Sequence, residues 1–571
     1  LASSSTEVVV GRTASGAVGL SELDAAGSVV RTFTIPDRDD LPAAIRDREA
    51  VGDVRWVWSD TPTWYGPVLA SGIRVARAWD LRLVHAVLRD AEAVVDDGGL
   101  RAHREWDAAA PTSDDTDTLF SLGAARSGPP DDIESAAAEY RRQRAAIAAA
   151  TTPGALRLLA AAESAGALIA AELQAAGLPW SVEAHERLLA EQLGTRVGGG
   201  LPTHIEQAAA AVRDALGDPS VSLDSQPRLL RALHRAGLLV QSTNRWELAE
   251  HDHPVIAPLI AYKKLMRLYT ANGWAWMAEW VRDARFRPVY VPAGVVTGRW
   301  ASSGGGALQI PRQLRTAVRA DPGWTLVTAD VAQLEPRVLA AMARDTALAE
   351  AASGRDLYAG IVDAGAVGTR ADAKIAMLGA MYGATSGESG RLVPRLRRTF
   401  PRAMALVDDA ARVGAEGGRV HTWLGRTSPP AGDLWRAVQS QASDAEASGV
   451  DETRARRAAR DRGRFTRNFV VQGTAAEWAL AWLADLRTRL SALEPVDAAR
   501  AAPASGPAFA RVPHLAFYLH DEIVVHTPVE HADTVADAVR ESAASAGRLL
   551  FGTFPIDFPL DLRIGETAEK G

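Results

Sequence analysis

Residues 325 to 340 read TLVTADVAQLEPRVLA, and this stretch constrains the chain more than any other. The apolar β-type run Thr325-Leu326-Val327-Thr328 ends at Asp330, and Leu334-Glu335-Pro336-Arg337 then opens an Ala-rich helical pattern. A carboxylate leaving the end of a buried strand suits a metal ligand, because the strand fixes it and the turn opens it to solvent. The same Asp also suits an ordinary helix N-cap. Residues 515 to 526, LAFYLHDEIVVH, read as two β-runs with His520-Asp521-Glu522 at the bend, where acidic residues also serve as plain turn formers. If the two strands share a sheet, Asp330 and Asp521 converge on a pair of divalent ions roughly 3.5–4 Å apart, the arrangement for displacement at phosphorus.

A helix between the two carboxylates carries the most informative spacing. In TRADAKIAMLGAMYG, Arg370, Lys374, Leu378 and Tyr382 recur every four residues, which stacks them on one face with about 5–6 Å between neighbouring Cβ atoms. Two cations suit a triphosphate, and Leu378 with Tyr382 suits a base and sugar. A second ladder, Arg464, Asn468 and Gln472 in RFTRNFVVQGTAAE, offers amides suited to the acceptors that every base pair shows in the minor groove. Spacing alone leaves ordinary surface or core packing open for both ladders. Ahead of the Asp330 strand, the Gly-rich stretch 294–311 contains Thr297-Gly298-Arg299, an arginine within reach of a phosphate or groove edge.

A chain of 571 residues, 47% of them hydrophobic, predicts several folded domains. The absence of cysteine excludes disulfides, thiolate nucleophiles and cysteine zinc sites. A net charge of -7 argues against a generally basic nucleic-acid binder but leaves room for a local basic channel. Two arginine runs contain few acids: Arg391, Arg395, Arg397, Arg398 and Arg402, then Arg454, Arg456, Arg457, Arg460, Arg462, Arg464 and Arg467. Phosphate contact and a solvated face both fit them. No signal peptide and no uninterrupted apolar run of membrane-spanning length are expected, so a cytoplasmic, nucleoid-associated monomer with no membrane partner is the expectation.

Along the chain, residues 1 to about 120 alternate β-like runs (Val8-Val9-Val10, Val29 to Phe33, Val54 to Trp58) with polar turns, followed by a helical segment from Trp79 to Val95. This predicts a compact α/β domain. Its candidate metal-binding acids, Asp60 and Asp80, are isolated rather than clustered as in a metal-dependent nuclease. Residues 109–134 read as a linker, and 135–285 as almost wholly helical, broken at Gly177-Leu178-Pro179 and Gly198-Gly199-Gly200. The segment from Ile260 to Leu268 sets cations beside apolar positions on one helix, an ordinary amphipathic pattern or a contact for a duplex backbone. An Ala- and Pro-rich insert, Ser491 to Val512, reads as a loop.

These pieces, in this order, resemble the DNA polymerase I family (family A polymerases) over roughly residues 150–571. The carrying motifs are TGRWASS…LQIP, DVAQLEPRVLA (motif A), RADAKIAMLGAMYG (motif B), VHTWLGR, RNFVVQGTAAE and LHDEIVV (motif C). The resemblance implies an α/β multidomain protein with a right-hand polymerase fold: a palm with an antiparallel sheet, and a helical thumb and fingers. An α/β exonuclease-like (RNase H-like) domain would precede them. The implied division is 1–134 for a degenerate 3′–5′ exonuclease-like domain and linker, and 135–293 for the thumb. Residues 294–350 would form the palm with motif A, 351–455 the fingers, and 456–571 the palm with motif C.

By the same resemblance, Asp330 and Asp521 hold two Mg²⁺ ions, with Mn²⁺ as an alternative and Val331 and Glu522 as neighbouring ligands. Arg370 and Lys374 bind the triphosphate, Lys374 also serving as a candidate acid for the leaving group. Leu378, Tyr382, Gln333 and Glu335 line the nucleotide site, where Glu335 blocks a ribose 2′-hydroxyl. Arg299, Thr297, Arg464, Asn468, Gln472 and His520 meet the primer–template. The partners implied are primer–template DNA and deoxynucleoside triphosphates, the setting repair or gap filling, and neither proofreading nor a separate upstream 5′ nuclease domain is expected.

The chain departs from the family at Val331-Ala332, where the family has Tyr-Ser, at Pro336, and at Leu378, where Phe or Tyr is usual; Leu378 puts discrimination against dideoxynucleotides in question. Competing readings are a single-subunit RNA polymerase, a non-catalytic primer–template clamp and a mainly nucleolytic repair enzyme. Retention of Asp330, Lys374 and Asp521, together with Glu335, favours DNA synthesis.

Overall fold

The valine runs near the N-terminus become the middle of a five-stranded sheet. The computed structural model describes residues 6–95, 98–107, 128–196, 199–304, 306, 310–354, 356–384, 387–444 and 447–569. β1 (Thr6–Arg12) and β2 (Val18–Leu23) pair antiparallel, as do β2 and β3 (Val29–Ile35). On its other side β1 runs parallel to β4 (Val54–Trp58), and β4 to β5 (Arg77–Asp80), giving the order β3-β2-β1-β4-β5. Strands buried on both faces read as continuous apolar runs, and β1 and β4 do. Val8, Val10, Trp56 and Trp58 face α1 (Leu41–Val51) and α2 (Thr61–Ala70), while Val9 and Val57 face α3 (Leu81–Asp90) and α4 (Ile133–Ala149). The helix expected from Trp79 begins at Leu81. Trp79 and Asp80 close β5 instead, in parallel register with Val57 and Trp58. Most of the expected 109–134 linker lies outside the described residues, and α4 is under way at Ile133, capped by Asp132.

Helix α5 (Pro153–Ala176), though interrupted by Arg157, Glu163 and Glu172, is long and apolar enough to cross a membrane by length and composition. Its apolar residues are instead mostly buried within the protein: Leu156 and Ala160 cover one face of the sheet, Leu168 and Ala176 the other. Glu163 and Glu172 are buried on the same helix and ion-paired to arginines, which marks it as a core helix.

The chain divides into two compact units. One comprises Leu1–Gly177, Val289–Ser303 and Asp321–Glu566, the other Leu178–Pro288, Gly304–Ala320 and Thr567–Gly571. The single helical segment expected over 135–293 is therefore split, since α4 and α5 cover the N-terminal sheet. The second unit holds β6 (Leu178–Pro179), α6 (Val182–Leu193), α7 (Thr203–Leu216), α8 (Gln226–Arg235), α9 (Arg245–Ala249), α10 (Ile256–Asn272), α11 (Trp274–Trp280), β7 (Val281–Arg282) and β8 (Arg285–Phe286). Its helices share a core that includes Leu189, Ile205, Leu229 and Leu259. Gly198 of the expected glycine break lies outside the described residues.

The first unit resumes with the paired β9 (Val289–Val291) and β10 (Ala301–Gly304), then β11 (Trp324–Val331). There follow α12 (Leu334–Met342), α13 (Thr346–Ala352), α14 (Leu357–Asp363), α15 (Arg370–Tyr382), α16 (Gly387–Thr399), α17 (Pro401–Ala415), α18 (Asp433–Ser443) and the 43-residue α19 (Gly449–Ser491). β12 (His514–Leu519), β13 (Glu522–Pro528), α20 (Ala532–Phe551) and β14 (Leu560–Gly565) complete it. The two carboxylate-bearing stretches do meet in one antiparallel sheet, of order β12-β13-β11-β14.

The insert Ser491–Val512 is more than a loop. Phe509 is buried among the side chains that face α1 and α2, and Arg74 lies over its ring. Gly72, in the left-handed region at φ 80°, leaves room for Pro507, which would lie 3.3 Å from a Cβ there. At its other end the Arg500 carbonyl accepts from Trp324 Nε1 at 2.9 Å. The insert thus ties the N-terminal sheet to β11.

Candidate active site

β11 delivers Asp330 at its end, where the Val331 N–H donates to the Asp521 carbonyl at 2.9 Å. Asp521 stands in a two-residue turn between β12 and β13, for Leu519 pairs with Glu522. His520 adopts φ 56° there, a left-handed conformation that His tolerates better than most side chains. The Tyr518 hydroxyl donates to the His520 carbonyl at 2.9 Å and fixes the bend. Behind it Tyr290, Trp300 and Tyr518 pack edge to face, with centroids 5.5 and 4.9 Å apart. Burial, and then the Asp330 charge, push the Asp521 carboxyl up to about 6. Burial and the Arg299 charge push the His520 imidazole down. In the sheet register Asp330 stands between Glu522 and Asp561.

The turn after Asp330 is held from below. Arg337, fully buried, donates from Nε to the Ala332 carbonyl at 3.0 Å and from Nη1 to Asp557 at 2.7 Å. Gln333 caps α12 at φ 51°, and its side-chain amide reaches Asp356 at 3.2 Å. Pro336 falls in the first turn of α12, where its missing N–H is tolerated.

Opposite stands α15. The Thr369 side chain accepts from the Asp372 N–H at 3.1 Å to start it, and Gly383 in the left-handed region ends it. Arg370, Lys374, Leu378 and Tyr382 lie along this one helix as the spacing predicts. The Tyr382 hydroxyl donates to Glu335 at 2.7 Å, and Arg299 forms an ion pair with the same carboxylate. A cavity of about 230 Å³ opens between these groups, lined among others by Arg299, Glu335, Leu378, Tyr382, His520 and Asp521. Gln333 also lines it, whereas Arg370 and Lys374 stand exposed on α15 outside that lining.

The second ladder lies on α19. Gln472 accepts from the Thr297 hydroxyl at 2.9 Å, Asn468 is half-buried one turn earlier, and Arg464 covers Gly383, where a Cβ would approach its Cγ to 2.8 Å. Gly298, at φ 85°, must be glycine twice over, since a Cβ would also sit 2.7 Å from Arg426 Nε. Arg426 pairs with buried Glu163, and buried Glu477 accepts from the Thr422 hydroxyl and, at 3.0 Å, from the Leu424 N–H. Burial pushes the Glu477 carboxyl up to about 7. The arginine runs are less bare than their sequence, because Asp408 of α17 pairs with both Arg397 and Arg467, and Arg462 donates to the Gly418 and Pro429 carbonyls.

Sequence reasoning missed Asp356, Tyr358, Tyr518 and the buried Glu163–Arg426 and Glu477 groups. Asp356 had a local signal, as an N-cap of α14. The others depend on contacts far apart in the chain.

The sequence profile of DNA polymerase family A matches residues 205–569, well over half of the chain. The chain belongs to DNA polymerase family A. This family A chain is 28% identical over 356 residues to DNA polymerase I of Chloroflexus aurantiacus, covering 57% of this chain and 34% of the relative. It is 26% identical over 438 residues to the thermostable DNA polymerase I of Thermus thermophilus, covering 72% of this chain and 46% of the relative. The chain thus spans less than half the length of these curated relatives. Among solved structures it is similar to the POL domain of Pol1 from M. smegmatis in complex with DNA primer-template and dNTP. That likeness has a TM-score of 0.67 at 17% identity and covers 99% of this chain and 95% of the other. The right-hand polymerase fold expected from the motifs is the fold of this chain.

Proposed function

We propose that this family A chain is a DNA-directed DNA polymerase that extends a primer by nucleotidyl transfer, with gap filling as its setting. The observation that carries the reading is the convergence of Asp330 and Asp521 opposite the α15 ladder, across a cavity lined by Glu335, Leu378 and Tyr382. Asp330 at the end of β11 and Asp521 in the neighbouring turn set two carboxylates close together, Asp521 being pushed up to about 6 by burial and then by the Asp330 charge. Such a donor set fits Mg²⁺, which takes one or two carboxylates and completes its shell with substrate phosphate and water. When bound, the divalent ions lower the pKa of the primer 3′-hydroxyl and neutralise charge on the leaving pyrophosphate.

The reaction joins the 3′-oxygen to the α-phosphorus of the nucleotide and breaks the α–β phosphoanhydride bond. Arg370 and Lys374 balance the triphosphate charge, and Lys374 is the group suited to give a proton to the departing pyrophosphate. Glu335, fixed from two sides by Tyr382 and Arg299, presents a carboxylate wall to the sugar and excludes a 2′-hydroxyl. Thr297, Arg299, Asn468 and Gln472 follow the minor groove, Arg464 the template beside Gly383, and His520 the primer end.

The N-terminal sheet and its helices favour synthesis without excision. β1 carries a single acid, Glu7, which is ion-paired to Arg144, and continues as Val8-Val9-Val10-Gly11. Asp80 is buried and satisfied by Thr61 and the Leu83 N–H; the structure brings Asp60, isolated from it in the sequence, beside it, and burial and then the Asp80 charge push the Asp60 carboxyl up to about 6.

Extension of a labelled primer on a gapped template with Mg²⁺ tests the reading, with deoxynucleotides and ribonucleotides offered in parallel. Template-dependent extension with deoxynucleotides alone and an intact mismatched primer end are expected. Extension with ribonucleotides, or none with either set, would refute it.

A further inference from the structure

Arg370 is the first rung of the α15 ladder and more than half exposed, yet its guanidinium is already occupied. Nε donates to Asp356 Oδ1 at 3.2 Å and Nη2 to Oδ2 at 2.7 Å, a two-pronged grip on a carboxylate. The same fork is the geometry with which arginine grips a phosphate. Asp356 is itself firmly held. Its Oδ1 accepts from the Ala359 N–H at 2.8 Å at the start of α14, and its Oδ2 accepts from Gln333 Nε2 at 3.2 Å. Gln333 Oε1 in turn accepts from the Leu357 N–H at 3.3 Å. One carboxylate therefore joins the turn after Asp330 to the first turns of two helices, with the Tyr358 ring 5.6 Å from the guanidinium. Desolvation opposes ionisation of Asp356, but the Arg370 bonds and the helix N–H hold its carboxyl below the usual range, so the anion is present at neutral pH.

We propose that Asp356 is an internal anion occupying Arg370 until an incoming triphosphate displaces it, which makes Asp356 a positioning residue that sets nucleotide affinity. The proposal rests on the reading of Arg370 as a triphosphate ligand. The exchange needs no refolding, because both anions present oxygens to the same two N–H groups. After release, Asp356 keeps its bonds to Ala359 and Gln333, so α14 and the turn after Asp330 stay in place while Arg370 swings to the phosphates. The carboxylate therefore acts on binding, where it competes, rather than on the chemical step.

Asp356→Asn is the discriminating variant, because Asn caps a helix as well as Asp does and still accepts from the Ala359 N–H while losing the charge. Single-nucleotide incorporation on primer–template is read as KM and kcat separately, with Arg370→Ala and the double variant beside it, and thermal unfolding checks the fold. The expected result is a KM for the nucleotide lowered about three- to tenfold in Asp356→Asn, a KM raised in Arg370→Ala, and no further effect of Asp356→Asn once Arg370 is absent. If Asp356→Asn unfolds early, Asp356→Ser, which also caps, is expected to lower KM in the same direction. An unchanged or raised KM in a stably folded Asp356 variant, with Arg370→Ala still impaired, overturns the competition and leaves the Arg370 reading intact. An Arg370→Ala variant with wild-type KM removes that reading and the proposal with it.

Discussion

Glu335 serves Tyr382 and Arg299 at once, and this double anchorage fixes its carboxylate in place. Glu335→Ala is expected to raise ribonucleotide incorporation relative to deoxynucleotide by roughly tenfold or more, the scale on which a pocket discriminates a small group. Competition kinetics with paired nucleotides measures this, and unchanged selectivity would assign the exclusion elsewhere. Glu477 is a residue-scale case of a different kind. Burial raises its carboxyl to about 7 from an ordinary value of 4.5, so its contribution to stability is fully present below 4.5 and lost as the pH rises through 7. Glu477→Gln, whose amide still meets Thr422 and the Leu424 N–H, is expected to gain on the wild type between pH 5 and pH 8, by up to about 3 kcal/mol. Denaturant unfolding at the two pH values measures it. An advantage that shrinks with rising pH contradicts the account.

At the scale of elements, the insert shows what a patch of Ala and Pro conceals. Phe509→Ala is expected to destabilise the first unit by about 3–4 kcal/mol, because the ring fills a core shared with the N-terminal sheet. A change below 1 kcal/mol in denaturant unfolding would mean that the insert is only draped on the surface. Elements whose signal lies within a few neighbouring residues were legible in the sequence: the strand ending at Asp330, the hairpin around Asp521 and the four-residue ladder of α15. The packing of the insert was not, since nothing near Phe509 records that it meets Arg74 and the side chains facing α1 and α2. The helical stretch 135–293 is hard to divide from sequence for the same reason. Periodicity shows that α4 and α5 are helices but not that their apolar faces cover a sheet formed by the first eighty residues.

At the scale of the molecule, buried ion pairs join distant parts of the first unit. Glu172 of α5 is held down to about 2, against the pull of burial, by Arg487 of α19 and by Arg74. Tyr65 donates to the same carboxylate at 2.7 Å, and Arg487 also donates to the Val75 and Ala76 carbonyls. Arg487→Ala leaves a buried charge short of its main partner and is expected to destabilise by about 3–5 kcal/mol, read as a fall in thermal midpoint. These links are separated by hundreds of residues, 315 between Glu172 and Arg487 and 263 between Glu163 and Arg426, so no sequence window contains them. The residues of the candidate site were legible because its carboxylates and cations sit in local motifs. The network that aims them was not, because it forms only when the chain closes on itself.

In the proposed function, Asp330 and Asp521 jointly support nucleotidyl transfer. Single-turnover incorporation of one correct deoxynucleotide, with Mg²⁺ and pre-bound primer–template, tests it most directly on wild type, Asp330→Asn and Asp521→Asn. The account predicts that both variants bind primer–template like the wild type and incorporate at least about a thousandfold more slowly, on the scale of losing a group that acts at the reacting phosphorus. Incorporation within tenfold of wild type by either variant would contradict it.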